Sequence, residues 1–370
     1  MSEQAGILTY RVLHHLVETE VVRADHSITP VQYQPASLDL RLGRVAYRIR
    51  SSFVPGNLSV EEVLRDLQMY TIDLDANGIL EKNQVYLVPL EESLCLPQYL
   101  RARANPKSTT GRLDMLTRVI SDYNARFDDI QAGYCGKLYL EIVPKSFTIS
   151  VKPGLCLNQL RFIQGECLLD DQELAAVYQR IPLLYDSADD PIPPDSACIQ
   201  EGLLMRVDLQ GERNQSIIGY KARKNSDIID LTRIHTYEIS DFWEPIQRQK
   251  NDQLILEPEE FHLLCSQEKV RIPPDYSAEM VAYDIGAGEF RVHYAGFFDP
   301  GFGYGNGDIP GTYAVLEVRS HDVPYRISHG QPFCKIQYAR NIERPEVVYG
   351  IDLGSNYQRQ KLSLSKQFKQ

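Results

Sequence analysis

Two glutamates, Glu141 and Glu317, each close an alternating apolar strand, Gly136-Lys-Leu-Tyr-Leu-Glu141 and Gly311-Thr-Tyr-Ala-Val-Leu-Glu317. An ionised carboxylate is costly to bury there unpaired, and one held near a cation and a water can act as a general base. A second group, Lys107-Ser108-Thr109 with Arg112, follows a strand-like stretch. Its backbone N–H groups, two hydroxyls and cations could surround phosphate oxygens. Asp299-Pro-Gly-Phe-Gly carries a turn signal and reads as a hairpin tip. Each feature also has a bland reading: a strand-end ion pair, an ordinary loop with a surface salt bridge, a plain turn.

The elements that must position these groups are written twice. Glu141 is followed by Gly154 and Phe162, and Glu317 by Gly330 and Tyr338, at the same spacings. Upstream, Tyr86-Leu-Val-Pro89-Leu-Glu-Glu92 is echoed by Ile255-Leu-Glu-Pro258-Glu-Glu260. A repeat this long marks tandem domains rather than solenoid units. Short alternating or β-branched segments, Lys137–Val143, Ser146–Val151, Gln253–Leu256 and Thr312–Arg319, sit between Gly, Pro, Asn and Asp punctuation. They predict a mainly β protein of closed or double-sheet architecture. Helical spacing predicts one helix within residues 7–22 and a second over Val60–Met69 with Ser59 as its cap. The acidic, proline-rich stretch 171–199 reads as a linker between domain one, 1–170, and domain two, 200–345. The polar tail, 346–370, is expected to fray unless a ligand or neighbour orders it.

With 370 residues, 43% hydrophobic and 24% charged, the chain suits a soluble protein of about two domains. Its net charge of −11 and lack of a basic tract disfavour nucleic acid or an anionic membrane surface as partner. No run of 18 apolar residues occurs and the start lacks the form of a signal peptide, so a cytoplasmic location is expected. Seven scattered cysteines without a Cys-x-x-Cys pair suit buried thiols in a reducing compartment and argue against structural zinc.

Four stretches, Gln34-Pro-Ala-Ser-Leu-Asp39-Leu-Arg41-Leu-Gly43, Lys107-Ser-Thr-Thr-Gly-Arg112, Ala295-Gly-Phe-Phe-Asp299-Pro-Gly-Phe-Gly and Leu316-Glu317, together resemble the dCTP deaminase branch of the trimeric dUTPase-like fold. The resemblance covers nearly the whole chain, once per half, and implies two tandem dUTPase-like β-barrel or jelly-roll domains. It implies hydrolysis of dCTP to dUTP and ammonia, with the strand-end glutamate activating the water that attacks C4 of cytosine. It further implies that Asp299 receives the deoxyribose 3′-hydroxyl, that backbone at Ala295 reads the base edge, and that Phe302 underlies the sugar. Neither a His-x-Glu nor a Pro-Cys-x-x-Cys segment is present, so the implied route uses no zinc, with Mg²⁺ as the usual escort of a triphosphate. Tyr349, Tyr357 and Gln360 resemble the family's closing C-terminal segment, although Asn356 stands where a lysine is expected.

The two copies differ in what they retain. Domain one keeps the phosphate segment, but its hairpin, Ala125-Arg-Phe-Asp128-Asp-Ile-Gln-Ala-Gly, has inserted residues. Domain two keeps a clean hairpin and Glu317, but Ala282-Tyr-Asp-Ile-Gly286 stands where the phosphate segment should be. Family sites form between neighbouring subunits, so a composite site is expected, with Lys107, Ser108, Thr109 and Arg112 from domain one and Asp299 and Glu317 from domain two. The competing reading keeps a full site with Glu141 in domain one alone. A dUTP diphosphatase or a bifunctional enzyme, and a non-catalytic nucleotide-binding protein, stand as alternative functions. The resemblance also implies a homo-oligomer, trimeric or pseudo-trimeric, and a dTTP effector.

Overall fold

The structure is a computed structural model that describes residues 4–211, 216–283, 290–292 (as backbone), 296–320, 322–350, 353 and 357–369. The duplication seen in the sequence is carried by the strands one for one. In the first module, strands Gln68–Asp73, Val45–Ile49, Val85–Cys95, Cys135–Pro144 and Met115–Ser121 pair in that order. In the second, Trp243–Gln247, Ile217–Ala222, Phe261–Val270, Thr312–Ser320 and Phe290–Val292 repeat it. The opposing layers match as well. Leu38–Arg41, Cys156–Gln164, Leu100–Pro106 and Asp129–Ile130 correspond to Leu203–Asp208, Pro332–Arg340, Tyr276–Ala282 and Phe297–Phe298.

Register confirms that the glutamates are equivalent. Glu141 lies opposite Leu87 and Glu317 opposite Leu263. Phe162 and Tyr338 are fully buried on matching strands, and Gly154 and Gly330 take φ of 79° and 75°, the left-handed region glycine adopts without strain. The fold is thus mainly β, two curled dUTPase-like modules in tandem, as the repeat predicts.

The N-terminal helix is shorter than expected, Tyr10–Glu18, because Gly6–Ile7 and Val22–Ala24 on either side pair as strands. The second helix spans Val60–Leu67, with Ser59 and Glu62 forming a reciprocal cap. The stretch 171–199 is not a plain linker. Asp170 caps a helix, Asp171–Arg180, by accepting from the Glu173 N–H at 2.8 Å, and Leu174, Val177 and Tyr178 are buried in the second module's core. Its acidic residues sit at a helix N-terminus, where they satisfy free N–H groups and the dipole. Composition alone does not separate that from a solvated spacer.

The tail also departs from expectation. Leu364 and Phe368 are buried in the first module's core, where Phe368 meets Trp243 and Phe242 edge-on. That core continues into the second module through Phe242, Trp243, Phe261 and Leu263, and Ile149–Ser150 pairs in parallel with Ile229–Asp230. The modules therefore share apolar surface and strand hydrogen bonds.

Candidate active site

A cavity of about 390 Å³ lies between the modules. The first module supplies Lys107, Ser108, Thr109 and Arg112 from the turn after strand Leu100–Pro106. The second supplies Glu317 from the middle of Thr312–Ser320, and Asp299 and Phe302 from the turn after Phe297–Phe298. Tyr349, Tyr357 and Gln360 of the tail close it. One candidate, Ala295, falls outside the described residues, as do Ser355 and Asn356 of the tail.

The phosphate-segment turn reaches Glu317 directly: a Cβ built on Gly111 would meet the Glu317 carboxylate, so a larger residue at 111 would force that side chain to move. Glu317 is nearly fully buried. Arg112 is fixed by the tail: its guanidinium stacks 3.7 Å from the Tyr357 ring centroid and donates to the Ser363 carbonyl and to Gln360 Oε1, both at 2.8 Å. Gln360 in turn donates to the Tyr313 carbonyl at 3.0 Å, and the Thr109 and Tyr357 hydroxyls share a hydrogen bond of 2.9 Å. The tail is therefore a hydrogen-bonded wall of the cavity.

Glu141 is not brought to this cavity. Its carboxylate is fully buried and paired with Arg118, which donates from Nε at 2.9 Å and stacks on Phe127. The matching hairpin has also changed. Ile130 and Phe298 occupy equivalent ladder positions, opposite Ala102 and Ala278, which places Gln131, not Asp128, where the second module has Asp299. Asp128 accepts from the Val119 N–H at 2.7 Å instead, and desolvation pushes its carboxyl up to about 7.

Two cavity residues, Asp39 and Lys366, and two residues that hold the hairpin, Arg161 and Asn105, were not singled out from the sequence. Asp39, within the string Gln34 to Gly43, forms an ion pair with Lys107, and burial pushes its carboxyl upward against the pull of that ammonium. Its Oδ1 is buried with no hydrogen-bond partner. Lys366 reaches the cavity from the tail, and burial together with the charge of Lys107 lowers its affinity for a proton. Arg161, fully buried, donates to the Ala278 and Phe298 carbonyls and meets Asp299 at 3.5 Å, so the hairpin of one module is pinned by the other. Asn105 Oδ1 accepts from the Gly296 N–H at 2.7 Å. Asp39 had a motif to flag it; Lys366, Arg161 and Asn105 are isolated polar residues whose partners lie far away in sequence. Among the described residues no three His, Cys, Asp or Glu side chains are grouped as a metal centre would need.

A pair of dUTPase-like modules enclosing a cleft that brings lysine and arginine side chains together with a buried glutamate is the class of protein that these features define. Residues 4–166 match the model of the 2'-deoxycytidine 5'-triphosphate deaminase N-terminal domain, and residues 170–368 match that of the C-terminal domain. The crystal structure of 2'-deoxycytidine 5'-triphosphate deaminase from Agrobacterium tumefaciens is 42% identical, with a TM-score of 0.88 over 95% of this chain and all of that one. A dUMP-forming dCTP deaminase of Persephonella marina is 31% identical over 167 residues, 43% of this chain and 84% of its own length. Another, from Coprothermobacter proteolyticus, is 28% identical over 137 residues, 36% of this chain and 70% of its own. The chain belongs to the 2'-deoxycytidine 5'-triphosphate deaminase family and is an enzyme.

Proposed function

We propose that the chain deaminates dCTP hydrolytically in the cavity between its modules, with Glu317 as the general base. The observation that carries this reading is that Glu317 and the group Lys107, Ser108, Thr109 and Arg112 line one cavity although they come from different modules. The triphosphate lies toward Lys107 and Lys366, the sugar against Asp299 and Phe302, and the cytosine toward Glu317. Glu317 takes a proton as the water oxygen bonds to C4 and passes that proton to N3. Glu317 then carries the proton of the new C4 hydroxyl to the amino group, the C4–N4 bond breaks, ammonia leaves, and the C4 carbonyl remains. Arg112 and the Ser108 hydroxyl, on the turn that touches Glu317, orient the water and the departing amine. Glu141 takes no part. Zinc has no role in this reading.

Mg²⁺ enters as the escort of the triphosphate, where it would neutralise phosphate charge. Asp39, with its orphaned Oδ1 beside Lys107, is the protein carboxylate placed to meet it or its waters. We further propose a cytoplasmic homo-oligomer responsive to dTTP, with neither nucleic acid nor membrane as partner. Among the described residues no helix is long and apolar enough to cross a membrane.

A second reading extends the reaction to dUMP and pyrophosphate, and two observations favour it. The relatives from Persephonella marina and Coprothermobacter proteolyticus carry dUMP-forming names, and Asp39 offers a carboxylate at the phosphate end. Incubation with dCTP, with ammonia measured and nucleotides separated by chromatography, tests both. Ammonia with dUTP supports deamination alone, ammonia with dUMP supports the extended reaction, and no ammonia defeats both.

A further inference from the structure

The internal duplication exposes a second cavity. Register makes Arg206 the counterpart of Arg41, since Leu203 and Leu38 stand opposite Ile336 and Leu160, which lie 176 residues apart like the two glutamates. Each arginine holds a buried glutamate in the same way. Arg41 donates from its backbone N and its Nε to Glu92, both at 2.8 Å, and Arg206 donates from its backbone N and one terminal nitrogen to Glu268, both at 2.9 Å. Beyond that pair the modules diverge.

In the first module the outer edge of Arg41 is covered. The His26 and Ser27 carbonyls accept at 2.8 and 3.2 Å, and Glu91 adds a second negative charge at 3.4 Å. In the second module the position of Glu91 is taken by Gln267. The segment after strand Leu184–Tyr185 does not return over the arginine; the Arg206 side chain is 35% exposed against 10% for Arg41. Its edge opens into a cavity of about 730 Å³, which His329 and Lys361 also line. The acids on that wall have partners, and Asp208 also lies 3.3 Å from His329 Nδ1. Glu268 holds Arg206, Asp208 accepts from the Gln210 and Gly211 N–H groups, and Asp186 accepts from those of Ala188 and Asp190. At the outer edge of the guanidinium the second module has glutamine for Glu91 and, among the described residues, no carbonyl that accepts from Arg206, and a cavity opens there.

We infer that this cavity is a binding site for a small phosphate-bearing metabolite, its phosphate on the outer edge of Arg206 between His329 and Lys361. A planar guanidinium edge with two donors suits a phosphate better than a neutral group. The volume is within the range of small-molecule sites, and the Tyr220 and Tyr313 rings on the wall provide a face for the body of such a ligand. The inference stands apart from the deaminase reading, because its test measures binding and not turnover.

Pyrophosphate is the probe. A Lys107→Gln/Lys366→Gln variant of the full chain removes both ammonium groups from the phosphate end of the inter-module cavity, so calorimetric titration of that variant reports the second cavity. It should bind one equivalent. Adding Gln267→Glu restores the acid with which the first module already folds, and should weaken that binding by about tenfold or more through like-charge repulsion. Adding Gln267→Lys instead should strengthen it. An isotherm that is the same with glutamine, glutamate and lysine at 267, or no binding of pyrophosphate by the Lys107→Gln/Lys366→Gln chain, overturns the inference.

Discussion

At the residue scale, one strand position carries the same acid in both modules and has two different fates. Glu141 spends its carboxylate on Arg118 inside the first module, whereas Glu317 faces the cavity against Gly111. Position, not residue type, separates them: one side chain lies inside the first module and the other lines the cavity. Glu317→Gln is expected to lower kcat for dCTP deamination by about 10²–10⁴, the usual contribution of a positioned base, with little change in melting temperature. Glu141→Gln should leave kcat within about threefold but lower stability by roughly 1–3 kcal/mol, since a partly buried guanidinium loses its charged acceptor. Kinetics and thermal melts of the two variants decide the point; loss of turnover in Glu141→Gln alone would hand the chemistry to the first module. Both glutamates were visible in the sequence as strand-end carboxylates. Their difference was not, because Arg118 is an ordinary polar residue of an adjacent strand and the pairing depends on register.

At the scale of elements, the tail shows how a polar segment becomes part of a site. Residues 364–368 are anchored on both sides of Lys366: Leu364 and Phe368 are buried in the core, Ser365 donates to the Thr109 carbonyl, and Gln367 donates to that of Leu231. That leaves Lys366 as the side chain of this stretch that lines the cavity, next to Lys107. Two neighbouring ammonium groups with Asp39 between them favour a strongly anionic ligand. Lys366→Gln is expected to weaken dCTP binding by about tenfold while the melting temperature stays put, because the anchors are untouched. Affinities for dCTP and dCMP measured side by side test it: an equal loss for both would mean that the lysine does not read the β- and γ-phosphates. Sequence periodicity located the strands well, since alternation and turn residues are local properties. It misjudged the tail, whose few apolar residues are widely spaced and are buried against the core of the other module, and the stretch 171–199, where the acids and prolines outweighed the helical spacing of Leu174, Val177, Tyr178 and Ile181. The missing lysine at 356 pointed to a weakened phosphate contact; Lys366 supplies a cation to the same cavity from a position no local pattern marks.

At the scale of the whole molecule, duplication allowed the two halves to specialise. The first module keeps the phosphate turn and has replaced the hairpin aspartate by Gln131, while the second keeps Asp299 and Glu317 and has leucine at 204 where the first has Asp39. Neither module alone retains the full set, and the inter-module cavity reunites it within one chain through the shared core and the Arg161 clamp on the hairpin. That arrangement has a consequence which mixing experiments can read. In an enzyme whose sites form between identical chains, two inactive variants with lesions on opposite sides of the interface regenerate intact sites, roughly a quarter of them on random exchange. Here Arg112 and Glu317 of one chain face the same cavity, so every chain in a mixture of Arg112→Gln and Glu317→Gln carries a lesion in its own site. Unfolding the two variants together, refolding them and assaying dCTP deamination should recover no more activity than the variants show apart. Recovery toward a quarter of wild type would mean that the phosphate turn of one chain serves the glutamate of another, and that the cavity within the chain is not where the reaction occurs.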